Sequence, residues 1–566
     1  MSEWKILQPD STDPYAEYPE IPSCLLQLLF HRGYKTPEAI ESFLHPDYTR
    51  DVLDPYLFRD MTKACDRIYQ AIVNKEKIVI HGDYDADGVS ASTILKSVLT
   101  SLGAVVDVFL PHREKDGYGL NSHTVEDFAQ QGQKLIITCD CGISNEKEII
   151  QANSLGMEVI VTDHHQIPEI LPPAFAIIHP RVEGETYPFK ELAGGGVAFK
   201  LAQGLLHHVG NNLNEEQREA REKWLLDLVA LSSVADMVAM TGETRTLTKY
   251  GLIIMQKNMR LGMAALLKNA GIEPKNITEE TIGYQIAPRI NAAGRMDHAN
   301  AAYFLLTETD EAKADVLATA LNQANQERQK QTELMTQQAK KQEINPEDAA
   351  LFFFDASWPL GLTGLVAGKL VRQYHRPCFV MGHDGDKLVG SGRGLEGLNI
   401  LKAIAEAKDI LVAFGGHPQA CGFRILEENV EQFQQIVRDS LAEQMKTVET
   451  LDELVVDAEI KLAEISWQVV DLLRGFGPYG MGNREPLFIS KNVSLLGCQA
   501  VGKDATHLKC KIMQDERALP AIGFSLMTKV PDTNVPIDVI YTIGINEWNG
   551  NREIQLQIKD IKPSVV

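Results

Sequence analysis

Residues 77–92 read KIVIHGDYDADGVSAS, a short apolar run followed at once by a histidine and three aspartates. Carboxylates this close together repel one another strongly unless a positive charge lies among them. The stretch therefore fits one of two structures, a solvated acidic turn or a metal site at the end of a strand. The sequence on either side of it decides which.

Composition and charge limit the class of protein. The chain has 566 residues, of which 44% are hydrophobic and 23% charged, as in a soluble globular protein of three or four domains. No apolar stretch approaches the roughly 20 residues of a membrane helix, and the start, MSEWKILQPD, has no secretory signal. We expect a cytoplasmic protein with no membrane partner. The net charge of −22 argues against a nucleic-acid coat protein but permits a basic groove.

The eight cysteines are scattered and form no CxxC pair, which argues against a zinc ribbon or a disulfide framework. Cys139 and Cys141 flank Asp140 in the sequence ITCDCG. If this segment is a strand, side-chain alternation places both thiols on the face opposite the aspartate. We expect them to be core residues.

Between residues 77 and 180, β-branched runs alternate with amphipathic segments that end in glycine. The runs KIVIHG, VVDVFLP, KLIITCDCG, MEVIVTDHH and FAIIHP are typical of strands, and the segments between them are typical of helices. Repeated βα units predict an α/β domain, residues 71–305, with a mostly parallel sheet covered by helices on both faces. We expect residues 1–70 to form a helical segment packed on this core.

Three further segments follow along the chain. Residues 309–344 contain neither glycine nor proline and predict one helix of roughly 50 Å, a solvated connector assigned to residues 306–346. ALFFFDA, CFVMGH and KLVGSGRG begin a second α/β domain, residues 347–448. Short strands separated by turns predict a β-barrel over residues 452–566.

The aspartates after the first strand match the opening of an EF-hand calcium loop, D-x-D-x-D-G, at Asp83, Asp85 and Asp87. The twelfth position should be a bidentate glutamate but is Ile94, and a strand instead of a helix precedes the loop. The sequence therefore excludes an EF-hand.

Ligands of an open parallel sheet bind beyond the carboxyl ends of its strands. Three strands of this chain end in acid or imidazole side chains: His81, Asp85 and Asp87; Asp140; and Asp163, His164 and His165. Carboxylates mixed with imidazoles suit Mn²⁺ or Mg²⁺, whereas zinc more often recruits thiolates. Two such ions can hold the attacking water and the leaving oxygen of a phosphoryl displacement.

Several motifs resemble one known family. DYDADG, TCDCG, TDHH and SSVADMV resemble, in this order, the four motifs of the DHH phosphoesterase superfamily. GSGRG and FGGHPQACGF resemble its second, DHHA1-type domain, and APRINAAGRM with a C-terminal OB-fold barrel resembles its single-strand-specific exonucleases. The resemblance covers essentially the whole chain. It implies a metal-dependent exonuclease that degrades single-stranded DNA 5′ to 3′ into mononucleotides, in DNA recombination and repair.

The resemblance also implies roles for the candidate site residues. His81 and Asp85 would bind one metal ion, Asp87, His164 and Asp236 the other, and Asp140 would bridge the two. Asp163 and His165 would support these ligands and contact the scissile phosphate. Spacing alone does not reveal Asp236, which lies in the helical stretch DLVALSSVADMV.

The same resemblance implies a substrate-binding set. Its members are Arg113, Arg289, Asn291, Arg295, Ser391, Arg393, Gly415, Gly416 and His417. Arg393 and Ser391 form a fork suited to a terminal phosphate, although such a turn is equally common without a ligand. His417 is a candidate hydrogen-bond donor to the phosphodiester. The loop FGPYGMGNREP and Trp548 of the barrel are candidate DNA contacts, and Trp548 equally fits simple packing in a hairpin.

Two alternative functions remain open from the sequence. One is a phosphodiesterase for cyclic dinucleotides or short RNA, a reading that the barrel and the connector disfavour. The other is a catalytically inactive replication scaffold, which the full set of metal-ligand candidates disfavours. For the nuclease we expect single-strand-binding protein and a helicase as partners, and a monomeric chain.

Overall fold

The computed structural model describes residues 3–8, 18–113, 115–208, 213–257, 259–296, 298–345, 347–447, 453–530, 535–548 and 550–564, and the elements given below lie within these ranges. The chain divides into two compact units. The larger contains residues 55–236 and 251–450. The smaller contains residues 1–54, 237–250 and 451–566.

In chain order the strands are Glu3–Ile6 (β1), Lys77–His81 (β2), Val105–Phe109 (β3), Gln133–Cys139 (β4), Glu158–Thr162 (β5), Ala176–Ile178 (β6), Leu351–Phe354 (β7), Cys378–Asp384 (β8), Lys387–Arg393 (β9), Leu411–His417 (β10), Ala420–Leu426 (β11), Glu453–Val456 (β12), Ala458–Glu459 (β13), Phe488–Val501 (β14), His507–Gln514 (β15), Arg517–Gly523 (β16), Ile537–Trp548 (β17) and Asn551–Pro563 (β18).

The helices are Ser23–His31 (α1), Pro37–Leu44 (α2), Tyr48–Asp51 (α3), Met61–Val73 (α4), Ala86–Ser101 (α5), Ser122–Gln130 (α6), Glu146–Ser154 (α7), Gly194–His207 (α8), Glu215–Trp224 (α9), Leu226–Ala235 (α10), Gly242–Lys257 (α11), Leu261–Ala270 (α12), Glu279–Thr281 (α13), Ala287–Met296 (α14), Asn300–Thr307 (α15), Glu311–Ala339 (α16), Thr363–Tyr374 (α17), Ile400–Ala405 (α18), Val430–Met445 (α19) and Trp467–Phe476 (α20). A π-helical turn, Ile282–Ile286, joins α13 to α14.

The first sheet of the larger unit is parallel and has the strand order β3-β2-β4-β5-β6. Its central strands are β-branched and buried, as expected for a sheet covered on both faces. The strand order reverses between β2 and β4, and ligands of open α/β sheets bind in the crevice at such a reversal. The topology therefore places a binding site where β2 and β4 end.

The second sheet of the larger unit has the order β10-β11-β9-β8-β7. The β7–β8 pair is parallel and the other pairs are antiparallel. Helices α18 and α19 cover one face through a cluster that includes Phe379, Phe423 and Phe433. The long helix α16 precedes this domain. It has 29 residues, so that it is about 44 Å long, slightly shorter than predicted.

The smaller unit contains a closed barrel. Strands β14, β15, β16, β18 and β17 pair in this order, and a β14–β17 pairing closes the circle. Only the β16–β18 pair of the barrel is parallel among the described residues. The predicted α/β fold with a C-terminal barrel is confirmed.

The N-terminal residues differ from the prediction of a single segment, 1–70, packed on the parallel-sheet domain. Apolar residues of α1 and α2, such as Leu25, Leu26 and Phe43, share one hydrophobic core with α20 and the barrel. Strand β1 pairs with β12 of the same unit, whereas α4 belongs to the larger unit. The sequence pattern identifies an apolar helix face but does not specify which of several cores buries it.

Two smaller expectations concern burial. Cys139 and Cys141 are fully buried, as predicted, and all eight cysteines are free thiols. In the part of the chain that the structure describes, no helix combines the length and apolarity needed to cross a bilayer.

Candidate metal centre

The loop after β2 begins α5 and holds three carboxylates. Asp85 caps the helix, since its Oδ1 accepts hydrogen bonds from the backbone N–H groups of Asp87 (2.9 Å) and Gly88 (3.1 Å). Gly88 is required here, because a Cβ atom at this position would lie 2.5–2.6 Å from atoms of Asp83. The tight turn thereby holds Asp83, Asp85 and Asp87 at the carboxyl end of β2.

Asp140 follows β4 in the left-handed backbone region, with φ of 61°, a conformation that Asp and Asn tolerate better than most residues. Its side chain is buried, and Oδ1 lies 3.0 Å from Nε2 of His164. The turn directs the carboxylate toward the other strand ends.

Asp163 follows β5 and organises the two histidines after it. Its Oδ1 accepts from the backbone N–H of His164 (2.7 Å) and His165 (3.1 Å) and lies 2.8 Å from Nδ1 of His165. Its Oδ2 accepts from the N–H of Ile143 (3.0 Å). Burial raises the pKa of this carboxyl, but the bond to His165 and the backbone donors outweigh it and lower the pKa to about 2. Asp163 is thus placed to position His165.

Asp87 contacts the N-terminus of α8. Its carboxylate accepts from the backbone N–H groups of Gly194 (2.8 Å) and Gly195 (2.7 Å) and from the hydroxyl of Ser232 on α10 (2.6 Å). The GGG run of the sequence therefore binds a carboxylate of the protein, where the helix N-terminus favours negative charge. Asp236 directly follows α10, and its Oδ2 lies 3.7 Å from Nε2 of His164.

Three sets of ligand atoms lie within 4.8 Å of one another: Asp83, Asp85 and Asp140; Asp87, His164 and Asp236; and Asp140, His164 and His165. Asp140 and His164 each belong to two of the sets. Neighbouring sets with shared members fit two adjacent ions. Carboxylate and imidazole are also the donors expected for Mn²⁺ or Mg²⁺.

The pKa values of the carboxyl groups in this cluster also indicate a metal site. Burial, followed by the charge of Asp87, raises the pKa of the Asp140 carboxyl well above its usual value. The same two causes raise the pKa of Asp236 to about 8, and burial with the charge of Asp85 raises that of Asp83. Such carboxylates ionise together only when a cation offsets their repulsion.

The three sets include Asp83 and do not include His81, whereas the predicted ligand set has His81 and not Asp83. The buried ring of His81 has Nδ1 3.7 Å from the thiol of Cys141, and burial lowers its pKa to about 4. Its Nε2 is buried without a hydrogen-bond partner among the described residues, so that its role as a metal ligand stays a prediction. Asp83 joins Asp85 and Asp140 in the cluster. Three aspartates at alternate positions of one loop were the available signal.

Tyr118 is a second residue that sequence reasoning missed. Its hydroxyl lies 3.1 Å from the backbone oxygen of Asp140 and 3.0 Å from Nδ1 of His165. It therefore connects the ends of β4 and β5. No motif or spacing in the sequence indicates this contact.

The predicted end-binding residues lie in the larger unit. The guanidinium of Arg113 stacks 4.0 Å above the ring of Tyr84, in the metal-site loop. Ser391 lies on β9 with its hydroxyl 2.9 Å from that of Thr363, and Arg393 ends the same strand. The strand β9 thus presents Ser391 and Arg393 on one face, at alternate positions.

His417 ends β10 and is exposed, with Nδ1 3.4 Å from the side-chain nitrogen of Gln166. Gln166 directly follows His165, so that this contact brings the second sheet to the metal-site loops. Gly416 has φ of 137°, and a Cβ atom there would lie 2.3 Å from the backbone oxygen of Ala420. Gly415 faces open space.

The helix α14 carries the remaining predicted substrate residues. The Oδ1 atom of Asn291 accepts a hydrogen bond from the backbone N–H of Ala86 (2.7 Å) at the start of α5. Arg295 donates to the backbone oxygen of Gly361 (3.0 Å), and Arg289 to the side chain of Asn322 (3.0 Å). Asn291 therefore joins α14 to the metal-site loop, and its predicted contact with the substrate stays a prediction.

In the loop of residues 476–486, two polar side chains bind other groups of the smaller unit. The side chain of Asn483 donates to the backbone oxygens of Phe476 and Pro478 (both 2.9 Å), and Arg484 pairs with Asp457 (3.1 Å). Its predicted contact with DNA stays a prediction. The side chain of Trp548 lies outside the described residues.

Comparison with known families assigns three parts of the chain. The DHH family N-terminal domain matches residues 77–232, the DHHA1 domain residues 347–443, and the RecJ OB domain residues 456–560. The first match contains the metal-site loops, and the third contains the barrel. The three matches bear out the resemblance seen in the sequence motifs.

Full-length relatives extend these matches. The chain is 36% identical to the single-stranded-DNA-specific exonuclease RecJ of Bacillus subtilis, over 98% of this chain and 70% of that protein. It is 33% identical to the RecJ of Salmonella typhimurium over the whole of both chains.

Solved structures agree with the sequence relatives. A crystal structure of RecJ from Thermus thermophilus in complex with Mn²⁺ superimposes with a TM-score of 0.84 at 27% identity, covering 100% of this chain and 80% of that one. A second structure, exonuclease RecJ bound to manganese, gives a TM-score of 0.61 at 32% identity, covering 70% of this chain and 98% of that one. The chain therefore belongs to the RecJ family of single-stranded-DNA-specific exonucleases.

Proposed function

We propose that this chain degrades single-stranded DNA from its 5′ end into mononucleotides, with two Mn²⁺ or Mg²⁺ ions, in DNA recombination and repair. One observation carries the proposal. Five aspartates and two histidines converge at the strand reversal of the parallel sheet, within reach of shared ligand positions. Bound cations would allow these carboxylates to be ionised together.

The residues present fit a pair of divalent ions. Asp83 and Asp85 would hold one ion, Asp87 and Asp236 the other, and Asp140 with His164 would lie between them. The ions, when bound, would activate a water and offset the charge of the phosphate. The N-terminus of α8 and the hydroxyl of Ser232 orient Asp87 through the bonds described above.

His165 is the candidate contact to the scissile phosphate. Its Nδ1 lies at hydrogen-bond distance from Asp163 and from the hydroxyl of Tyr118. Its Nε2 has no hydrogen-bond partner among the described residues, so that this nitrogen is left to donate to a phosphate oxygen. Burial lowers the pKa of His165, but the bond to Asp163 outweighs it and raises the pKa to about 9. We propose that His417, whose Nδ1 lies beside Gln166, contacts the same phosphodiester from the second domain.

The 5′ polarity is proposed from three residues outside the metal-ligand set. Arg113, Ser391 and Arg393 offer two guanidinium groups and a hydroxyl, a set suited to a terminal phosphate. A strand held by its 5′ phosphate would present its first internal phosphodiester to the metal centre.

The proposed partner proteins follow from the need for single strands: a helicase and single-strand-binding protein would supply unwound strands. The eight free thiols support a reducing compartment, and we propose a cytoplasmic monomer.

The test is hydrolysis of end-labelled substrates by the purified full chain. Single strands labelled at either end, a blunt duplex and a cyclic dinucleotide are each incubated with Mn²⁺, Mg²⁺ or EDTA, beside an Asp140→Asn control for contaminating nuclease. We expect mononucleotides released first from the 5′ end of the single strand, in either metal and not in EDTA. Faster hydrolysis of the cyclic dinucleotide would favour the phosphodiesterase alternative. No hydrolysis of any substrate would favour the scaffold.

A further inference from the structure

Two asparagines of the long helix α16 hold two arginines. The Oδ1 atom of Asn322 accepts a hydrogen bond from Nε of Arg289 (3.0 Å). The Oδ1 atom of Asn325 accepts from both Nε (3.1 Å) and Nη2 (2.9 Å) of Arg328. Asn325 is 1% exposed, so that it is a fixed acceptor. The two guanidinium groups are therefore oriented by the protein before any ligand binds.

The acceptors in these pairs are neutral. An amide oxygen orients a guanidinium but leaves its full positive charge available. Elsewhere in the same unit, two partly buried arginines have carboxylate partners: Arg67 pairs with Glu76 and Glu158, and Arg260 with Asp227. In a chain with 77 acidic and 55 basic residues, neutral partners at both arginines leave charge for an external anion.

Three more arginines share this property. Arg295 donates to the backbone oxygen of Gly361, Arg393 to that of Gly392 (2.8 Å), and Arg113 stacks on a tyrosine. No described residue forms an ion pair with any of the five arginines.

The five side chains also repel one another. Burial, then the charge of Arg289, lowers the pKa of Arg328. Burial, then Arg113 and Arg328, lowers the pKa of Arg295 to about 9. Mutual repulsion of this kind disfavours the folded chain unless closely spaced negative charges bind across the group.

We propose that Arg328 of α16 binds a backbone phosphate of the single strand beside Arg289, which the sequence motifs already predict as a substrate contact, so that α16 is part of the DNA-binding surface. The phosphates of a single strand match two pre-oriented guanidinium groups whose side-chain acceptors are neutral. The helix is then more than the solvated connector that its sequence predicts. This inference rests on the proposed function and names binding residues for the same substrate.

The test exchanges one neutral acceptor for a charged one. In Asn325→Asp the acceptor oxygen is kept while a carboxylate now pairs with Arg328, so that the fold is retained and the free charge is lost. We expect the affinity for a single-stranded 20-mer to fall about tenfold, and the slope of log affinity against log salt to flatten by about 0.7. The KM for the strand should rise while kcat at saturation is unchanged.

Gln323→Glu is the matched control. It adds the same charge to the same helix at an exposed position about 200° away around the axis. If Asn325→Asp and Gln323→Glu give the same affinity and salt slope, the inference is overturned. If Asn325→Asp lowers the melting temperature, Arg328→Gln takes its place, with the same expected loss of slope. Metal-dependent hydrolysis by the unsubstituted chain is measured alongside: its absence refutes the proposed function, whereas its presence with unchanged binding refutes only this inference.

Discussion

Replacing Asp140 by asparagine should make the metal-free protein more stable and the metal-loaded protein less stable. Asp140 belongs to two of the three ligand sets, and its neighbours raise its pKa well above the usual value. Its φ of 61° makes asparagine the correct substitution, because alanine would add about 1–2 kcal/mol of left-handed backbone strain. The Asn side chain keeps the shape and removes the charge.

The sign of each change follows from linkage. The folded carboxyl retains a proton that the unfolded chain releases at about pH 4, so that each pH unit above this value costs about 1.4 kcal/mol of stability while the proton is retained. Asparagine carries no such cost. With metal bound, the variant should be the less stable of the two proteins. An ion at 100 times its dissociation constant stabilises a site by about 2.7 kcal/mol, and the variant lacks the carboxylate that two of the ligand sets share.

The assay is thermal unfolding at pH 8 in EDTA and in Mn²⁺, with hydrolysis measured in parallel. We expect the variant to melt a few degrees higher in EDTA, at about 2–4 °C per kcal/mol, and to gain little from Mn²⁺. Hydrolysis should fall at least about 100-fold, since loss of a group that merely supports a ligand already costs about 10–100-fold. A variant that melts lower in EDTA, or gains as much from Mn²⁺ as the original chain, would refute the shared-ligand assignment.

The metal-free chain should lose stability as pH rises from 4 to 8, because the folded pKa of Asp236 is raised to about 8 above its unfolded value, and Mn²⁺ should abolish this slope in urea titrations. Gly195→Ala should reduce hydrolysis with little loss of secondary structure by circular dichroism, because the new Cβ would lie 2.5 Å from the hydroxyl that binds Asp87; normal activity would contradict that role of α8. Arg393→Ala should reduce the preference for a 5′-phosphorylated over a 5′-hydroxyl strand in competition assays, and equal losses on both strands would exclude end recognition.

Deletion of the barrel tests whether α1 and α2 depend on it for their hydrophobic core. Arg245 is buried and donates to the backbone oxygens of Phe43, Gly475 and Gly477 (2.5–2.9 Å). Without residues 451–566 it loses two of these acceptors, and α1 and α2 lose their core. We expect a chain ending after α19 to aggregate, and removal of residues 1–54 as well to improve its solubility in a sedimentation assay. A soluble, cooperatively melting single truncation would contradict the shared core.

The sequence predicted those features that depend on local pattern. The β-branched runs predicted the parallel sheet, and the acidic strand ends predicted where a metal centre lies, because parallel strands deliver their carboxyl ends to one edge. The contacts of Tyr118 and Asn322 could not be predicted in this way. Each depends on two segments distant in sequence, and a tyrosine or asparagine gives no periodic signal.

Asp83, beside Asp85, shows a similar limit. Both lie in the same acidic stretch, two residues apart. The backbone turn after β2 brings Asp83 into the cluster as well, and residue type does not encode the direction of that turn. The prediction that α1 and α2 pack on the parallel-sheet domain was wrong for a related reason, since an apolar helix face fits any apolar partner.

The shared core of α1, α2 and the barrel has a consequence during synthesis. Residues 25 and 43 leave the ribosome more than 400 residues before the strands that cover them. At about 5–20 residues per second, their apolar faces remain without native partners for roughly 20–80 seconds, while the intervening residues 55–236 and 251–450 fold as a separate unit. The newly made chain therefore exposes its first helices for most of its translation, and a holdase chaperone or slow clearance by proteases would act on this end before the enzyme is complete.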